Sequence, residues 1–346
     1  MAAKRRVDIR EVARVAGVSV TTVSHALNGK GRLPDETREH VHEVAQRLGY
    51  RPSASARNLA GGKTGLLGLV VSQPQRKSFV VTDFDYFTEI MSAATAAAMA
   101  RGYALVLAPP QWGLGREAVP VDGAIVIDPL RRDPLVRHFQ SAGKPVVTTG
   151  RLLDAGAAQA WVDNDHVAGT RTVLNHLARR GATRIALLTN PTRISYTVDV
   201  EAAYREWCDD HGQQPIIKKA RADLTERAGF AAATELLAAD EAPEAIYATY
   251  DRLAYGALLA AEARGARVPE DLLLVMTATN SGLAPQRPTI TSLDLHPAEI
   301  GTLAAALLVD LIEEREPDAR QLIVPTRLIA RTSTARRAAG QPASTS

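Results

Sequence analysis

The sequence has a single cysteine, Cys208, and its aromatic side chains make up only 5% of 346 residues. One cysteine cannot form an intramolecular disulfide or a thiolate metal cluster, so neither can be the basis of the fold. The N-terminus lacks the apolar core of a secretory signal, and apolar runs such as GLLGLVV fall far short of the ~20 residues of a membrane span. We therefore expect a cytoplasmic protein without membrane contact.

Motifs of enzymes and of metal sites are also missing. The eight histidines show no HExxH spacing, and no GxSxG elbow, Walker loop or dinucleotide glycine loop is present. A sugar-processing enzyme would need a carboxylate pair or a phosphate site, and a solute-binding transport component would need a signal peptide. The sequence therefore predicts a protein that is not an enzyme and that has no metal ion or organic cofactor.

Charge is distributed unevenly along the chain. Residues 1–60 hold eleven Lys and Arg against six Asp and Glu, while the whole chain has a formal net charge of +3. Because Arg336 and Arg337 add charge near the C-terminus, the long segment between the two ends is acidic. A basic head on an acidic body is typical of a module that binds a polyanion, although a solvated basic tail gives the same count.

The segment AGVSVTTVSHALNG at 16–29 indicates how this basic head is built. Apolar residues at positions 9, 12 and 13 form one face of a short first helix, which Gly17 ends. Ser19 is a suitable N-cap for a second helix, whose buried face carries Val23, Ala26 and Leu27. A third helix with a buried apolar stripe follows and ends near position 49.

The other face of the second helix shows Thr21 and His25 beside several hydroxyl side chains. Donors and acceptors near a helix N-terminus suit the edges of bases in the major groove. A helix that merely packs would explain the apolar face, but not a polar face flanked by arginine and lysine. In the next segment, GYRPSASARNLAGG, a short turn could place Leu59 between base pairs in the minor groove, unless the segment is only a linker.

From position 66 onwards, short apolar strands alternate with helical patterns. The predicted strands are 66–71, 103–108, 123–127, 145–149, 184–188, 245–249 and 272–276. Continuous apolar strands that alternate with helices predict parallel sheets covered on both faces. Ligands of such sheets bind beyond the carboxyl ends of the strands.

Three segments, IREVARVAGVSVTTVSHALNG, TREHV and GYRPSASARNLA, closely resemble the lactose/galactose-repressor family of bacterial transcription regulators. Within it, TTVSH and PSA are nearest to the purine-repressor branch. The resemblance implies an N-terminal all-α helix-turn-helix head and an α/β two-lobed, periplasmic-binding-protein-like effector domain with parallel sheets. The implied domains are a helix-turn-helix domain at 1–51, a hinge helix and linker at 52–64, a two-lobed effector-binding and dimerisation domain at 65–334, and a disordered basic tail at 335–346.

The resemblance also assigns residues to DNA. Base contacts are expected from Val20, Thr21 and His25, the last standing where most members have arginine. Contacts with the DNA backbone are expected from Ser19, Thr22, Ser24, Asn28 and Arg38. The expected minor-groove hinge consists of Ala56, Arg57 and Leu59. Val20 and Ala60 depart from the purine-repressor branch, which leaves the operator sequence open.

For the effector, the resemblance implies a pocket between the two lobes. Its expected residues are Tyr86, Phe87, Arg151, Asn164, Tyr196, Val200, Asp251, Ala278 and Asn280. Val200 and Ala278 stand where familiar members have an arginine and an aspartate that hold sugar or purine groups. We therefore expect a less polar effector that is neither a common sugar nor guanine, with Tyr196 or Asn280 compensating. The family pattern also implies a closing strand at RTST, 331–334.

Together, these patterns predict a repressor that binds a palindromic operator in double-stranded DNA as a homodimer. A small-molecule effector in the cleft would either release the operator or favour its binding. The alternative is a repressor of the same fold with a degenerate pocket and no effector. The tail ARRAAGQPASTS lacks leucine heptads, which argues against a tetramer-forming coiled coil.

Overall fold

The computed structural model describes residues 7–27, 33–50, 63–72, 85–108, 119–154, 156, 158–278 and 288–335. The chain divides into two compact units, Met1–Gly65 and Leu66–Ser346. The first unit is all-α and the second is α/β. Within the ranges given, no helix is both long and apolar enough to cross a membrane.

The described part of the first unit contains three helices, α1 (Ile9–Ala16), α2 (Val20–Leu27) and α3 (Asp35–Arg47). The tight turn between α1 and α2 uses Gly17, whose φ of 66° is a left-handed conformation that glycine adopts without a steric penalty. Ser19 caps α2, because its Oγ accepts a hydrogen bond from the backbone N–H of Thr22 at 3.0 Å. Both features agree with the sequence prediction.

Small and β-branched side chains from all three helices form the core of this unit. They are Val12, Ala13, Ala16, Val23, Ala26, Val41, Val44 and Ala45. Helices of this length are marginal in isolation, so each depends on the apolar contact with the other two.

The described part of the second unit has two sheets of six strands. In spatial order, the first sheet contains β11 (Gln321–Val324), β5 (Ala160–Asn164), β4 (Val146–Thr149), β3 (Gly123–Ile127), β1 (Leu66–Val71) and β2 (Ala104–Ala108). The second contains β12 (Arg327–Ile329), β10 (Thr291–Asp294), β9 (Leu273–Thr277), β8 (Ala245–Ala248), β6 (Ile185–Thr189) and β7 (Ile216–Lys219). Neighbouring strands are parallel, except that β12 is antiparallel to β10.

Seven helices cover these sheets in the ranges that the structure describes. They are α4 (Asp85–Ala100), α5 (Pro134–Ser141), α6 (His166–Arg179), α7 (Ser195–Asp210), α8 (Glu226–Leu237), α9 (Asp251–Ala263) and α10 (Pro297–Ile312). On the first sheet, α4 and α10 border one face and α5 the other. On the second sheet, α8 and α9 border one face, and α6 and α7 the other. The two-lobed architecture with parallel sheets is therefore as predicted.

The backbones of α8 and α9 are in direct contact. A Cβ added to Gly256 would lie 2.2 Å from the Glu226 carbonyl oxygen, and one added to Gly229 would lie 2.5 Å from the Leu253 carbonyl oxygen. No side chain larger than that of glycine fits at either position without moving a helix.

The expectation of a closing strand at 331–334 is wrong, because Thr332–Thr334 form a 3₁₀ helix. Hydroxyl groups explain the difference. Ser333 Oγ donates a hydrogen bond to the Leu274 carbonyl at 2.6 Å and accepts one from the Thr291 backbone N–H at 2.8 Å. A side chain therefore makes bonds to the sheet that the backbone of a strand would otherwise make.

The strands that the structure describes show three passages of the chain between the two sheets: after β5, after β10 and between β11 and β12. Asn164 joins the three crossing segments. Its Nδ2 donates hydrogen bonds to the Leu295 carbonyl at 3.0 Å and to the Val324 carbonyl at 2.9 Å. Because Asn164 is only 4% exposed, water cannot readily take its place at these carbonyls.

We expect Asn164→Ala to lower the free energy of unfolding by about 1–3 kcal/mol, because it leaves two buried carbonyls without their donor. Urea denaturation followed by circular dichroism measures the loss. The control is Gln213→Ala in the loop between α7 and β7, for which we expect a change within about 0.5 kcal/mol. Equal stability of the two variants would contradict a structural role for the Asn164 amide.

Candidate DNA-binding surface and effector cavity

The DNA-contact residues predicted near α2 lie on its outer side, and none of them is fully buried. These residues are Ser19, Val20, Thr21, Thr22, Ser24 and His25. Val20 is 42% exposed, so an apolar side chain stands at the surface among polar ones. Its methyl groups suit contact with the C5-methyl group of a thymine. The other predicted contacts, Asn28, Ala56, Arg57 and Leu59, lie outside the described residues.

The N-terminus of α2 carries a pair of hydroxyl groups. Ser19 Oγ and Thr22 Oγ1 are 2.8 Å apart. A helix N-terminus carries partial positive charge and favours an anionic oxygen such as that of a phosphate. Arg38 of α3 donates one guanidinium N–H to the Ala26 carbonyl at 3.4 Å, which ties α3 to the C-terminal end of α2. The guanidinium has further N–H donors for a phosphate.

A cavity lies between the two lobes, at the carboxyl ends of their strands. Its acidic lining residues are Asp85, Asp128, Asp163 and Asp251. Its aromatic and imidazole rings belong to Tyr86, Phe87, His166, Tyr196 and Tyr250, and the remaining lining residues are Ser195, Thr249, Thr277, Ala278 and Leu295. No lysine or arginine lines the cavity among the residues that the structure describes. The lining is therefore more acidic than the less polar pocket expected from the sequence.

Five of the nine expected pocket residues line this cavity: Tyr86, Phe87, Tyr196, Asp251 and Ala278. Asn280 lies outside the described residues. Val200 is instead buried in the hydrophobic cluster that surrounds Trp207. Asn164 points its amide at the crossing segments, and Arg151 pairs with an aspartate of the other lobe.

Arg151 connects the two lobes. It follows β4 of the first lobe, and its guanidinium donates hydrogen bonds to both carboxylate oxygens of Asp199 in α7 of the second lobe. Beside it, Gly150 has a φ of 96°, and a Cβ added there would lie 3.3 Å from Ser195 Oγ. The two lobes are therefore in contact at this edge of the cavity.

Sequence reasoning missed His166, which the fold places against Asp163. His166 Nε2 lies 2.8 Å from Asp163 Oδ1, and the His166 ring lies 4.9 Å from that of Tyr196. His166 is 5% exposed, and its Nδ1 has no hydrogen-bond partner among the described residues. The resemblance placed the nearby Asn164 in the pocket, but only the tertiary structure shows that His166 pairs with Asp163 and which ring nitrogen remains available.

The carboxyl groups of the cavity differ in their electrostatic environment. Burial acts to raise the pKa of Asp163, but hydrogen bonds from His166 and from the backbone N–H groups of Arg151 and Asn164 hold it below its usual value. Burial raises the pKa of Asp251, even though the Arg252 backbone N–H donates to its carboxylate at 2.7 Å. The cavity thus contains one well-stabilised carboxylate, Asp163, and one, Asp251, in which burial outweighs the compensating hydrogen bond.

Tyr86 and Tyr196 remain neutral hydrogen-bonding groups. Burial, with the carboxylates of Asp128 and Asp163 nearby, raises the pKa of Tyr86 well above its usual value. Burial also raises the pKa of Tyr196, whose hydroxyl donates to the Thr249 carbonyl at 2.6 Å. Across the described ranges, no group of three or more His, Cys, Asp or Glu side chains is arranged to hold a metal ion.

Comparison with known proteins identifies relatives that combine a DNA-binding head with a two-lobed α/β domain. Residues 8–53 match the family of bacterial regulatory proteins called the lacI family, and residues 174–334 match a periplasmic binding protein-like domain. The HTH-type transcriptional regulator CelR of Thermobifida fusca is 32% identical over 344 residues, which cover 96% of this chain and 100% of CelR.

Solved structures show the same architecture. A complex of the transcriptional regulator CelR with cellobiose has a TM-score of 0.69 at 29% identity and covers 95% of this chain and 100% of that one. The Lac repressor dimer bound to operator and an anti-inducer has a TM-score of 0.75 at 23% identity, over 95% and 99% of the chains, and supports the fold alone. The chain therefore belongs to the LacI family of bacterial regulatory proteins: it is a transcriptional regulator with a DNA-binding domain and an effector-binding domain, and it is not an enzyme.

Proposed function

We propose that this regulator binds a palindromic operator as a homodimer, and that a small molecule in the cavity between its lobes controls the affinity for that operator. The cavity carries the proposal, since it combines carboxylates, aromatic rings and a buried histidine nitrogen that no described residue satisfies. The relative CelR is known as a complex with cellobiose, which supports a small-molecule effector here too. We also propose a cytoplasmic location, since a bacterial regulator must reach its DNA there.

For operator recognition, we propose that α2 enters the major groove, as the second helix of a helix-turn-helix unit does. Val20, Thr21 and His25 would contact base edges, while Ser19, Thr22, Ser24 and Arg38 would hold phosphates. The exposed Val20 and the hydroxyl pair at the start of α2 support this division. A dimer would place two such helices in successive major grooves about one helical turn apart.

We expect His25→Ala to cost about 1–3 kcal/mol of discrimination at one base pair, because the imidazole would lose its contact with a base edge. Genomic footprinting identifies the strongest site, and affinities are then measured for that site, its single-base variants and random DNA. Ser24→Ala is the matched comparison, since a lost phosphate contact weakens operator and random DNA alike. An equal loss by His25→Ala on operator and random DNA would show that His25 contacts only phosphate.

For the dimer, we propose that the interface lies on the side of the α/β unit that carries α4, α8 and α9. These helices border one hydrophobic cluster that extends through both lobes. Large exposed apolar side chains mark this side: Met99 on α4, Leu107 on the edge strand β2, Phe230 on α8 and Leu259 on α9. Clustered exposed apolar side chains are typical of protein–protein contacts, and we propose that these four residues serve this role.

We expect Leu259→Glu to convert the protein to a monomer and to weaken operator binding, because a carboxylate would have to be buried in the interface. Sedimentation velocity measures the mass, and fluorescence anisotropy measures the operator affinity. Ile323→Glu is the control, since Ile323 is equally large and exposed but lies on β11, at the sheet edge opposite to β2. Dimers that survive Leu259→Glu, or that dissociate with Ile323→Glu, would contradict this interface.

For the switch, we propose that the effector changes the angle between the lobes. The Arg151–Asp199 ion pair crosses the cleft and favours contact between the lobes, so a ligand in the cavity acts on an equilibrium that this pair already biases. Either sign of control is compatible with this arrangement, since a ligand stabilises whichever state it binds more tightly.

We expect the affinity for the strongest operator site to change when pooled metabolites are added. Ala278→Phe should remove this response and leave operator affinity without metabolites unchanged, because the larger ring fills the cavity. Anisotropy titrations with and without metabolites measure both quantities. A palindromic site that no metabolite affects would instead support the alternative, a repressor of the same fold with a degenerate pocket.

A further inference from the structure

We propose that the effector carries a protonated amine, which the carboxylates of the cavity bind, and that His166 Nδ1 accepts a hydrogen bond from a neighbouring N–H or O–H of the same molecule. The inference rests on the proposed function, because it assumes that the cavity takes a small molecule. It adds the chemical class of that molecule.

The charge of the cavity is the first argument. Four aspartates line it, and no lysine or arginine does among the described residues. Arg151, at the edge of the cavity, has its guanidinium paired with Asp199. His166 and two backbone N–H groups stabilise the Asp163 carboxylate, and His166 is the only basic side chain among the described residues that line the cavity. Clustered carboxylates favour a cationic ligand and repel a phosphate or a carboxylate.

The buried histidine is the second and independent argument. His166 Nε2 forms its hydrogen bond with Asp163 Oδ1, and an ionised carboxylate can only accept a hydrogen bond. In the neutral ring Nε2 therefore carries the proton, and Nδ1 is an acceptor. This acceptor is buried and lacks a partner among the described residues, and the side chain that carries it lines the cavity. A hydrogen-bond donor of the ligand would satisfy it, whereas a ligand that offers only acceptors would not.

Aromatic rings complete the site. Tyr196 packs edge to face with Tyr250 at 5.7 Å, and Tyr86 and Phe87 line the same cavity. The faces of such rings attract a cation within about 6 Å, and they also cover the apolar part of an organic amine. Carboxylates beside aromatic rings thus fit an amine attached to a hydrophobic or ring-shaped body.

The test compares amines with alcohols of matched shape, using the full-length protein. The three pairs are the β-1,4-linked glucosamine disaccharide with cellobiose, tyramine with tyrosol, and 1,5-diaminopentane with 1,5-pentanediol. Thermal unfolding detects binding, and isothermal titration calorimetry measures the affinity. We expect at least one amine to bind about tenfold or more tightly than its alcohol, as charge-assisted hydrogen bonds do relative to neutral ones. If no amine binds, or if the alcohol matches the amine in every pair, the inference is wrong.

The dependence on pH provides a second readout. Since burial raises the pKa of Asp251, this carboxyl gains a proton more readily than usual as the pH falls. The titratable and charged groups facing it are Asp85 on α4 and Arg252 and Tyr255 on α9. A bound ammonium favours the ionised carboxylate, so the affinity for the amine should decrease as the pH falls through the pKa of Asp251. The alcohol should show no such decrease.

Variants separate this site from adventitious binding. Asp251→Asn should weaken the affinity for the amine about tenfold and leave the affinity for the alcohol unchanged, because it removes a charge but retains the size of the side chain. It should also raise the unfolding midpoint of the empty protein at neutral pH, where the buried charge is unfavourable. Asp240→Asn, at an exposed aspartate, should change neither quantity. A lower midpoint together with unchanged amine binding in Asp251→Asn would overturn the inference.

Failure of the inference is distinguishable from failure of the proposed function. If alcohols bind in the cavity and change operator affinity while amines do not, the effector switch stands and the amine is excluded. If no ligand changes operator affinity and Ala278→Phe has no effect, effector control itself is excluded.

Discussion

The arrangement of the two lobes depends on one buried amide. Asn164 lies where the first crossing segment leaves β5, and its two N–H groups bond the carbonyls of the other two crossings. The carbonyls have no access to water, so the three segments must stay together for their hydrogen bonds to be made. Because Asp163 and His166 belong to the same segment, the polar groups of the cavity are fixed relative to this junction. The junction can therefore serve as a pivot while the outer edges of the lobes move.

The sequence predicted those parts whose signals are local. The caps and i, i+3 and i, i+4 spacings of the first unit appear directly in the chain, and so do continuous apolar strands such as β3. β5 and β7 were not predicted as strands, because AWVDN and IIKK mix apolar with polar residues. The cavity was predicted in part. Residues that follow strands or begin helices, such as Tyr86 and Asp251, were found, but the burial of Val200 and the pairing of His166 depend on contacts distant in sequence.

The contact between the lobes and the candidate ligand site differ in how their charges are compensated. Arg151 and Asp199 form an ion pair at the rim, so the Arg151 guanidinium connects the lobes and does not compensate the carboxylates of the cavity. Within the cavity, burial raises the pKa of Asp251, so the hydrogen bond from the Arg252 backbone N–H does not fully offset the cost of burying this carboxylate. Such a concentration of unfavourable charge is characteristic of sites shaped by binding and not by stability.

The glycine contact between α8 and α9 has a mechanical consequence. Two helices separated by a layer of side chains can slide past each other, as in shear motions, but Gly229 and Gly256 remove that layer and leave backbone against backbone. The two helices therefore form one rigid unit, and Phe230 and Leu259 are exposed on it. In the proposed dimer, rotation of the second lobe would move α8 and α9 together as one rigid body. A small movement at the cavity would therefore be transmitted to the neighbouring protomer without sliding between these two helices.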